Sequence, residues 1–361
     1  MSRIHRAQEV SQVATIRDVA RAAGVSIATV SRVFNGSSRV SEGAYQRVRS
    51  AATQLDYCPN ETARSLTTSR TSTLGVVLPD LYGEFFSEVI RGIDHAARQE
   101  HYRILVSSSH ADTDALVSIA RSLRGRVDGL IAMAPDEGTA AAIGQMTDNF
   151  PVVLMSPRFN VQTCDSISIA NFEGACAMIE HLLSIGHQTI AMIKGPPGNI
   201  DAEERLRGYR TALRDAGKET SPALEFQGDF TESSGYQCCG AILRCQPRPT
   251  AVFAANDYMA VGLICAIGDT GLRVPQDIAV TGFDDIALAQ YLNPPLTTVR
   301  VDAYELGERA VRKWICSAQE GGPVDGHETL PATLVVRKSC GTREPVAADL
   351  RPRQRRRGSG T

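Results

Sequence analysis

The run Ser26-Ile27-Ala28-Thr29-Val30-Ser31-Arg32-Val33-Phe34-Asn35 holds residue types suited to reading DNA. A recognition helix enters the major groove N-terminus first, so its opening residues reach base edges. Here those are Ile27 and Ala28, with Arg32 one turn further on. Arginine is the usual bidentate donor to guanine O6 and N7, whereas Ile27 and Ala28 offer only apolar contact, for example to a thymine methyl. Ser26, Thr29, Ser31 and Asn35 are short hydrogen-bonding side chains suited to phosphate oxygens, which fix register without reading sequence. The plainer alternative is that Thr29 and Ser31 face water and Arg32 makes a surface ion pair. Catalytic chemistry has less support. The chain has no G-x-x-x-x-G-K-[ST] loop, no convincing G-x-G-x-x-G after its first strand and no His/Cys/acid cluster at metal-ligand spacing, so neither cofactor nor metal is expected.

To present Ile27 and Arg32, the chain must place them on a short helix packed on others. Thr15 is a good N-cap for a helix Ile16 to Ala23, in which Ile16, Val19, Ala20 and Ala23 recur at helical spacing. Gly24 ends it, and Ser26 caps a second helix, Ile27 to Phe34, whose Val30, Val33 and Phe34 can pack on the first. Two short helices around a glycine turn predict a helix-turn-helix. Ser41 opens a third helix, Glu42 to Leu55, with Tyr45, Val48, Ala51, Ala52 and Leu55 as its apolar face. Pro59 then breaks the chain, and Thr67 to Thr73, small and polar, reads as a linker.

From Leu74 onward, short apolar runs alternate with helix-length amphipathic segments. Predicted strands are Leu74 to Leu78, Arg103 to Ser107, Gly129 to Ala132, Val152 to Met155, Ser166 to Ile169, Thr189 to Ile193, Ala251 to Ala254 and Ile278 to Thr281. Helices between them include Glu84 to Gln99, Asn171 to Ser184, Ala202 to Ala216, Glu232 to Arg244 and Asp257 to Thr270. Such alternation is the signature of parallel sheets covered by helices on both faces, here long enough for two doubly wound lobes. Ligands bind such folds at the carboxyl ends of the strands. The expected division is a head at 13–59, a hinge and linker at 60–73, a two-lobed body at 74–342 and a basic tail at 343–361.

The net charge of -2 hides an asymmetry. Met1 to Leu74 holds ten arginines against five acids, a net of +5, which leaves -7 for the remainder. A basic head suits phosphate. Arg351, Arg353, Arg355, Arg356 and Arg357 lie among Pro, Gly and Ser in a tail that reads as disordered, either adding non-specific nucleic-acid attraction or standing idle in solvent. No apolar run approaches the roughly 20 residues of a membrane helix, and the N-terminus lacks an export signal, so a cytoplasmic protein is expected. The nine cysteines include no C-x-x-C pair and fit reduced packing residues.

The strings Thr15-Ile16-Arg17-Asp18-Val19-Ala20, Gly24-Val25-Ser26, Thr29-Val30-Ser31-Arg32-Val33 and Asn35-Gly36 resemble the lactose/galactose repressor family. The likeness continues through Arg39-Val40-Ser41, Tyr57, Pro59-Asn60 and Ala63-Arg64-Ser65-Leu66, and through the body as far as Pro294-Pro295-Leu296-Thr297-Thr298. It implies an allosteric, sequence-specific transcription regulator, a repressor, acting as a homodimer or a tetramer on a pseudo-palindromic operator. It further implies a hinge helix at Glu61 to Leu66 that folds on DNA, with Leu66 wedged between central base steps.

For the body the resemblance implies a periplasmic-binding-protein-like pair of lobes with an effector between them. Arg205, Asn256 and Asp284 match family positions that hold an effector's polar groups, and Phe86 and Phe230 match positions that stack a ring on it. Acceptor, forked donor and amide together suit vicinal diols. Alternatively, Asp284 caps the helix after it and Arg205 pairs with Glu203 or Glu204. Ser107, Ser156 and Arg158 are further candidates for the same wall. Ser156 and Ala170 stand where relatives often carry acids, which makes a phosphorylated or acidic sugar a plausible effector beside a plain sugar. A solute-binding protein on this fold would need an export signal and would have no use for Thr15 to Leu66.

Overall fold

The structure is a computed structural model that describes residues 14–34, 40–57, 70–133, 150–157, 164–320 and 326–341. The chain divides into two compact units, Met1–Thr71 and Ser72–Thr361. The first contains three helices, α1 (Ile16–Ala23), α2 (Ile27–Phe34) and α3 (Glu42–Gln54). Thr15 and Asp18 form a reciprocal capping box at the start of α1, and Gly24, in the left-handed region at φ 64°, ends it. Val19, Val30 and Val48, one from each helix, are fully buried, with Ala20, Ala23, Val33, Ala51 and Ala52 around them. Phe34 and Tyr57 rings close the edge of this core at 5.7 Å. The apolar face expected for α3 is corrected at two positions. Tyr45 and Leu55 are exposed and Ala44 is buried instead, so the buried strip of α3 is narrower than its apolar spacing.

The second unit begins with β1 (Thr73–Leu78), α4 (Glu84–Gln99), β2 (Arg103–Ser108), α5 (Thr113–Leu123), β3 (Gly129–Met133), β4 (Val152–Met155) and β5 (Asp165–Ile169). It continues with α6 (Asn171–Ser184), β6 (Ile190–Lys194), α7 (Ile200–Asp215), β7 (Glu225–Gln227), α8 (Glu232–Leu243), β8 (Ala251–Ala254), α9 (Asp257–Asp269) and β9 (Ala279–Thr281). The last elements are β10 (Thr298–Arg300), α10 (Ala303–Glu320), β11 (His327–Leu330) and β12 (Thr333–Val335).

One sheet, in the order β11-β5-β4-β3-β1-β2, is parallel throughout, and a second, β7-β6-β8-β9, is too. Strands β3, β4, β6 and β8 are almost wholly buried, as strands covered on both faces must be. Lobe 1 comprises β1 to β5 with α4, α5, α10 and β11; lobe 2 comprises α6 to α9, β6 to β9 and the antiparallel pair β10–β12. The chain therefore passes between lobes three times, after β5, after β10 and after β11. The Ala170 N–H donates to Leu330 O at 2.9 Å and ties the first and third crossings together.

Trp314 on α10 is fully buried, donating from Nε1 to Pro151 O at 3.1 Å and meeting Tyr102 edge-on. In lobe 2, α8 and α9 touch through Gly235 and Gly262. A Cβ on either would overlap a main-chain carbonyl oxygen of the other helix, Met259 O or Glu232 O. No helix among the described residues is long and apolar enough to cross a membrane. Eight described cysteines are free thiols, and burial, with Asp165 beside it, pushes Cys164 up to about 12.

Candidate functional site

In the head, Ser26 Oγ accepts the Thr29 N–H at 3.1 Å and lies 2.9 Å from the Thr29 hydroxyl, so these two side chains begin α2 for each other. Ile27 is 47% exposed, a large apolar side chain left in solvent at a helix N-terminus. Ala28 and Arg32 are also exposed, while Thr29 and Ser31 are half-buried. The outward face of α2 thus presents Ser26, Ile27, Ala28 and Arg32, and its inward face buries Val30 and Val33. Arg47 Nε reaches the last carbonyl of α1, Ala23 O, at 3.2 Å and fixes α3 against it. Asn35, Leu66, Arg158, the hinge helix and the basic tail lie outside the described residues.

In the body, a cavity of about 430 Å³ lies between the lobes. That is within the roughly 300–1,000 Å³ of small-molecule sites. Lobe 1 lines it from the ends of β1, β2 and β3, with Asp80, Phe86, His110 and Met133 among the contributors; lobe 2 lines it from the ends of β6 to β9. The carboxyl ends of two parallel sheets therefore face one space. Phe86, Arg205, Phe230, Asn256 and Asp284 all line it. His110, Ala111, Phe230 and Asp284 have positive φ angles of 51°, 55°, 72° and 109°, uncommon for residues with a Cβ and here concentrated on the cavity wall.

Arg205 is 4% exposed, and each of its three nitrogens has a partner. Its Nη2 lies 3.1 Å from Asp284 Oδ1, Nε donates to Asn171 Oδ1 at 2.8 Å and Nη1 donates to Ala255 O at 2.6 Å. The guanidinium also lies over the Phe283 ring, 3.8 Å from its centroid. Neither Glu203 nor Glu204 is its partner; Glu204 pairs with Arg207 instead. Burial pushes the Asp284 carboxyl up to about 6, with the Arg205 charge opposing and Asp201 reinforcing the rise. Asp284 does not cap a helix. Asn256 caps a different helix, α9: its Oδ1 accepts the Met259 N–H at 3.0 Å while its Nδ2 donates to Phe230 O at 2.9 Å. Asn256 consequently holds the Phe230 loop to the start of α9.

Three sequence expectations change here. Ser156 is not among the described residues that line the cavity with Arg205. It is buried in a left-handed conformation and lines a neighbouring cavity of about 390 Å³ behind Asn171 and Asp201. Ser107, likewise, is not among the described lining residues. The loss of carboxylates inferred from Ser156 and Ala170 is also made good in space. Asp201, on the first turn of α7, lines both cavities, and its Oδ1 accepts from Asn171 Nδ2 at 2.7 Å. Burial raises its carboxyl above the usual range, with Arg205 pulling it down. The described lining of the central cavity holds four carboxylates, of Asp80, Asp201, Asp229 and Asp284, against the one guanidinium of Arg205.

Asp201, Asn171 and Asp257 were not picked out by sequence reasoning. Asp257 is fully buried; its Oδ1 accepts from the Thr298 hydroxyl at 2.6 Å and its Oδ2 from the Ile286 N–H at 2.9 Å, while burial and Asp284 drive its carboxyl well up. The available signal was the placement of Asn171 and Asp201 at helix N-termini that follow strands, where polar side chains converge on a switch point.

A small three-helix head with an outward-facing second helix, in one chain with a two-lobed body enclosing a cavity, defines a class: a DNA-binding regulator with a small-molecule sensor. Residues 15–60 match the family described as bacterial regulatory proteins, lacI family, and residues 179–340 match the periplasmic binding protein-like domain. The chain is 36% identical over 300 residues to the ribose operon repressor of Escherichia coli (strain K12), covering 82% of this chain and 91% of that one. It is 32% identical over 332 residues to the HTH-type transcriptional repressor PurR of Haemophilus influenzae (strain PittEE), covering 90% and 98%. Its fold matches that of the lac repressor dimer bound to operator and the anti-inducer ONPF with a TM-score of 0.84, at 34% identity over 91% of this chain and 99% of that one. The chain belongs to the lacI family of bacterial regulatory proteins. It is a DNA-binding transcription regulator under effector control, and its relatives are repressors rather than enzymes.

Proposed function

We propose that this repressor acts in the cytoplasm as a homodimer on a pseudo-palindromic operator and that its effector is a neutral, polyhydroxylated small molecule of sugar size. The observation that carries the effector class is the excess of carboxylates among the described residues lining the central cavity, together with an Arg205 whose three nitrogens are already engaged by Asp284, Asn171 and Ala255 O. Carboxylates accept from hydroxyls and repel phosphate or carboxylate groups, so the phosphorylated or acidic sugar expected from sequence is the less suited class. Asp284, positioned by Arg205, accepts from hydroxyls, Asn256 contributes its remaining amide hydrogen, and Phe86 and Phe230, one from each lobe, cover the apolar face of the ring. The ribose operon repressor among the relatives, and a cellobiose complex of the regulator CelR at 31% identity and TM-score 0.68, covering 90% of this chain and 99% of that one, agree with such a ligand.

On DNA, Ile27, Ala28 and Arg32 read bases, Ser26, Thr29, Ser31 and Asn35 contact phosphates, and Leu66 is the minor-groove wedge. The effector prefers one arrangement of the lobes and thereby shifts operator affinity. A thermal-shift screen of the full-length protein tests the effector class. D-Ribose and other neutral sugars are expected to raise the unfolding midpoint, with sugar phosphates, sugar acids and purine bases giving none of the rise. Stabilisation by sugar phosphates alone would refute it.

A further inference from the structure

Glu84, the first residue of α4 in lobe 1, makes two hydrogen bonds to lobe 2. Its main-chain N–H donates to Tyr258 Oη at 2.8 Å, and its Oε1 accepts the Ala287 N–H at 2.7 Å. The two partners belong to different segments of lobe 2. Tyr258 lies on the first turn of α9, two residues after Asn256, and Ala287 follows the Asp284-Asp285 pair. Asp257 joins those segments through its bond to the Ile286 N–H, so Glu84 closes a ring of contacts that runs Glu84, Tyr258, Asp257, Ile286, Ala287 and back. Gly83 allows the approach: at φ 94° it sets the main chain against the Tyr258 ring, where an added Cβ would stand 3.1 Å from a ring carbon. Tyr82, Gly83 and Tyr258 all line the central cavity, and the two tyrosine rings lie 6.4 Å apart, so the contact stands on the cavity's rim.

We propose that Glu84 is an interlobe clasp, a positioning residue that holds the lobes at the spacing seen here beside the effector cavity, and that lobe opening breaks its two hydrogen bonds together. Covalent crossings between lobes permit hinge motion, and non-covalent contacts between them set how often it occurs. The Ala287 bond has a charged acceptor and is the stronger of the two. Because Asp257 links the segments that carry Tyr258 and Ala287, neither leaves Glu84 alone. The clasp acts without a ligand, so its test is independent of the effector's identity.

Hydrogen–deuterium exchange of the full-length, unliganded protein tests it, with peptides covering residues 83–86 and 286–289 as reporters and amides of β1 and β6 as a check on folding. Tyr258→Phe removes the acceptor of the Glu84 amide, and Glu84→Ala removes the acceptor of the Ala287 amide. Each is expected to speed exchange in both reporter peptides by about tenfold. Glu84→Gln retains an acceptor oxygen and is expected to stay close to wild type in both. Exchange that rises only in 83–86 for Tyr258→Phe, or only in 286–289 for Glu84→Ala, would overturn the clasp. Tyr258→Phe deletes a single oxygen and keeps the test decisive should Glu84→Ala fail to fold.

Discussion

Arg205 and Asp284 meet across 3.1 Å in lobe 2 with both side chains largely buried, on the wall of the cavity between the lobes. A buried pair of this kind contributes less to net stability than to geometry, but removing one member leaves the other charge stranded. Arg205→Ala strands Asp284, Asn171 Oδ1 and Ala255 O at once, so it is expected to lower the body's stability by about 3–5 kcal/mol. Loss of effector response in this variant would therefore be accompanied by a lower urea midpoint. An unchanged midpoint would mean that the arginine is not locked as described.

Asp284 makes stability depend on pH in a definite direction. Its carboxyl is raised to about 6 in the folded state from an ordinary 3.8, so between roughly pH 4 and 6 the folded chain binds more protons than the unfolded one. The contribution of this group to stability falls as pH rises through that window, and its cost is fully present above about pH 6. Asp284→Asn removes the titration. Urea melts at pH 5 and pH 7 should show a smaller difference attributable to this site in Asp284→Asn than in the wild type, and an equal difference would place the titration elsewhere.

Arg32→Ala should cost operator discrimination while sparing the body. One bidentate contact to guanine is worth about 1–3 kcal/mol between right and wrong bases. Footprinting on a selected operator should lose the protected site at concentrations where non-specific binding persists, with the thermal response to ligand unchanged. Full protection by the variant would move base reading to other residues of α2.

Gly262 and Gly268 lie on the same helix and predict opposite outcomes. A Cβ at Gly262 overlaps the Glu232 carbonyl, whereas at Gly268 nothing lies within 4 Å. Gly262→Ala is expected to destabilise by about 1–3 kcal/mol through forced separation of α8 and α9. Gly268→Ala is expected to stabilise by about 0.5–1 kcal/mol, since alanine loses less backbone freedom in a helix. Chemical denaturation of both variants checks the pair.

Much of this was legible in the sequence because hydrophobic spacing is local. The three head helices follow from apolar residues recurring at helical spacing, and strands β1 to β6, β8 and β9 follow from short apolar runs, with ends that shift by a residue or two. Strands β7, β10, β11 and β12 were not anticipated: each has only three or four residues, and β11 finds its partner β5 about 160 residues away. Such pairing leaves no mark on spacing. The polar wall behaved likewise. Asp284 and Arg205 could be named, but Asp201 occupies ground next to Ser156 only through folding, and the acid missing at one strand end is supplied by the next helix. Tyr45 and Leu55 failed for the opposite reason, since a helical period marks a face without saying how wide the buried part of it is.

The three passages between lobes also set the order in which the body is made. Lobe 1 lacks α10 and β11 until almost all of lobe 2 has been synthesised, because residues 303–330 follow β10 in the chain. Until then Val89, Gly92 and Ile93 on α4, buried in the finished protein, have no α10 to cover them. Synthesis generally completes N-terminal units first. Here the lobe begun first is finished late, and a chain stopped between Arg300 and Ala303 carries a second lobe lacking only β12 beside a first lobe still open to water.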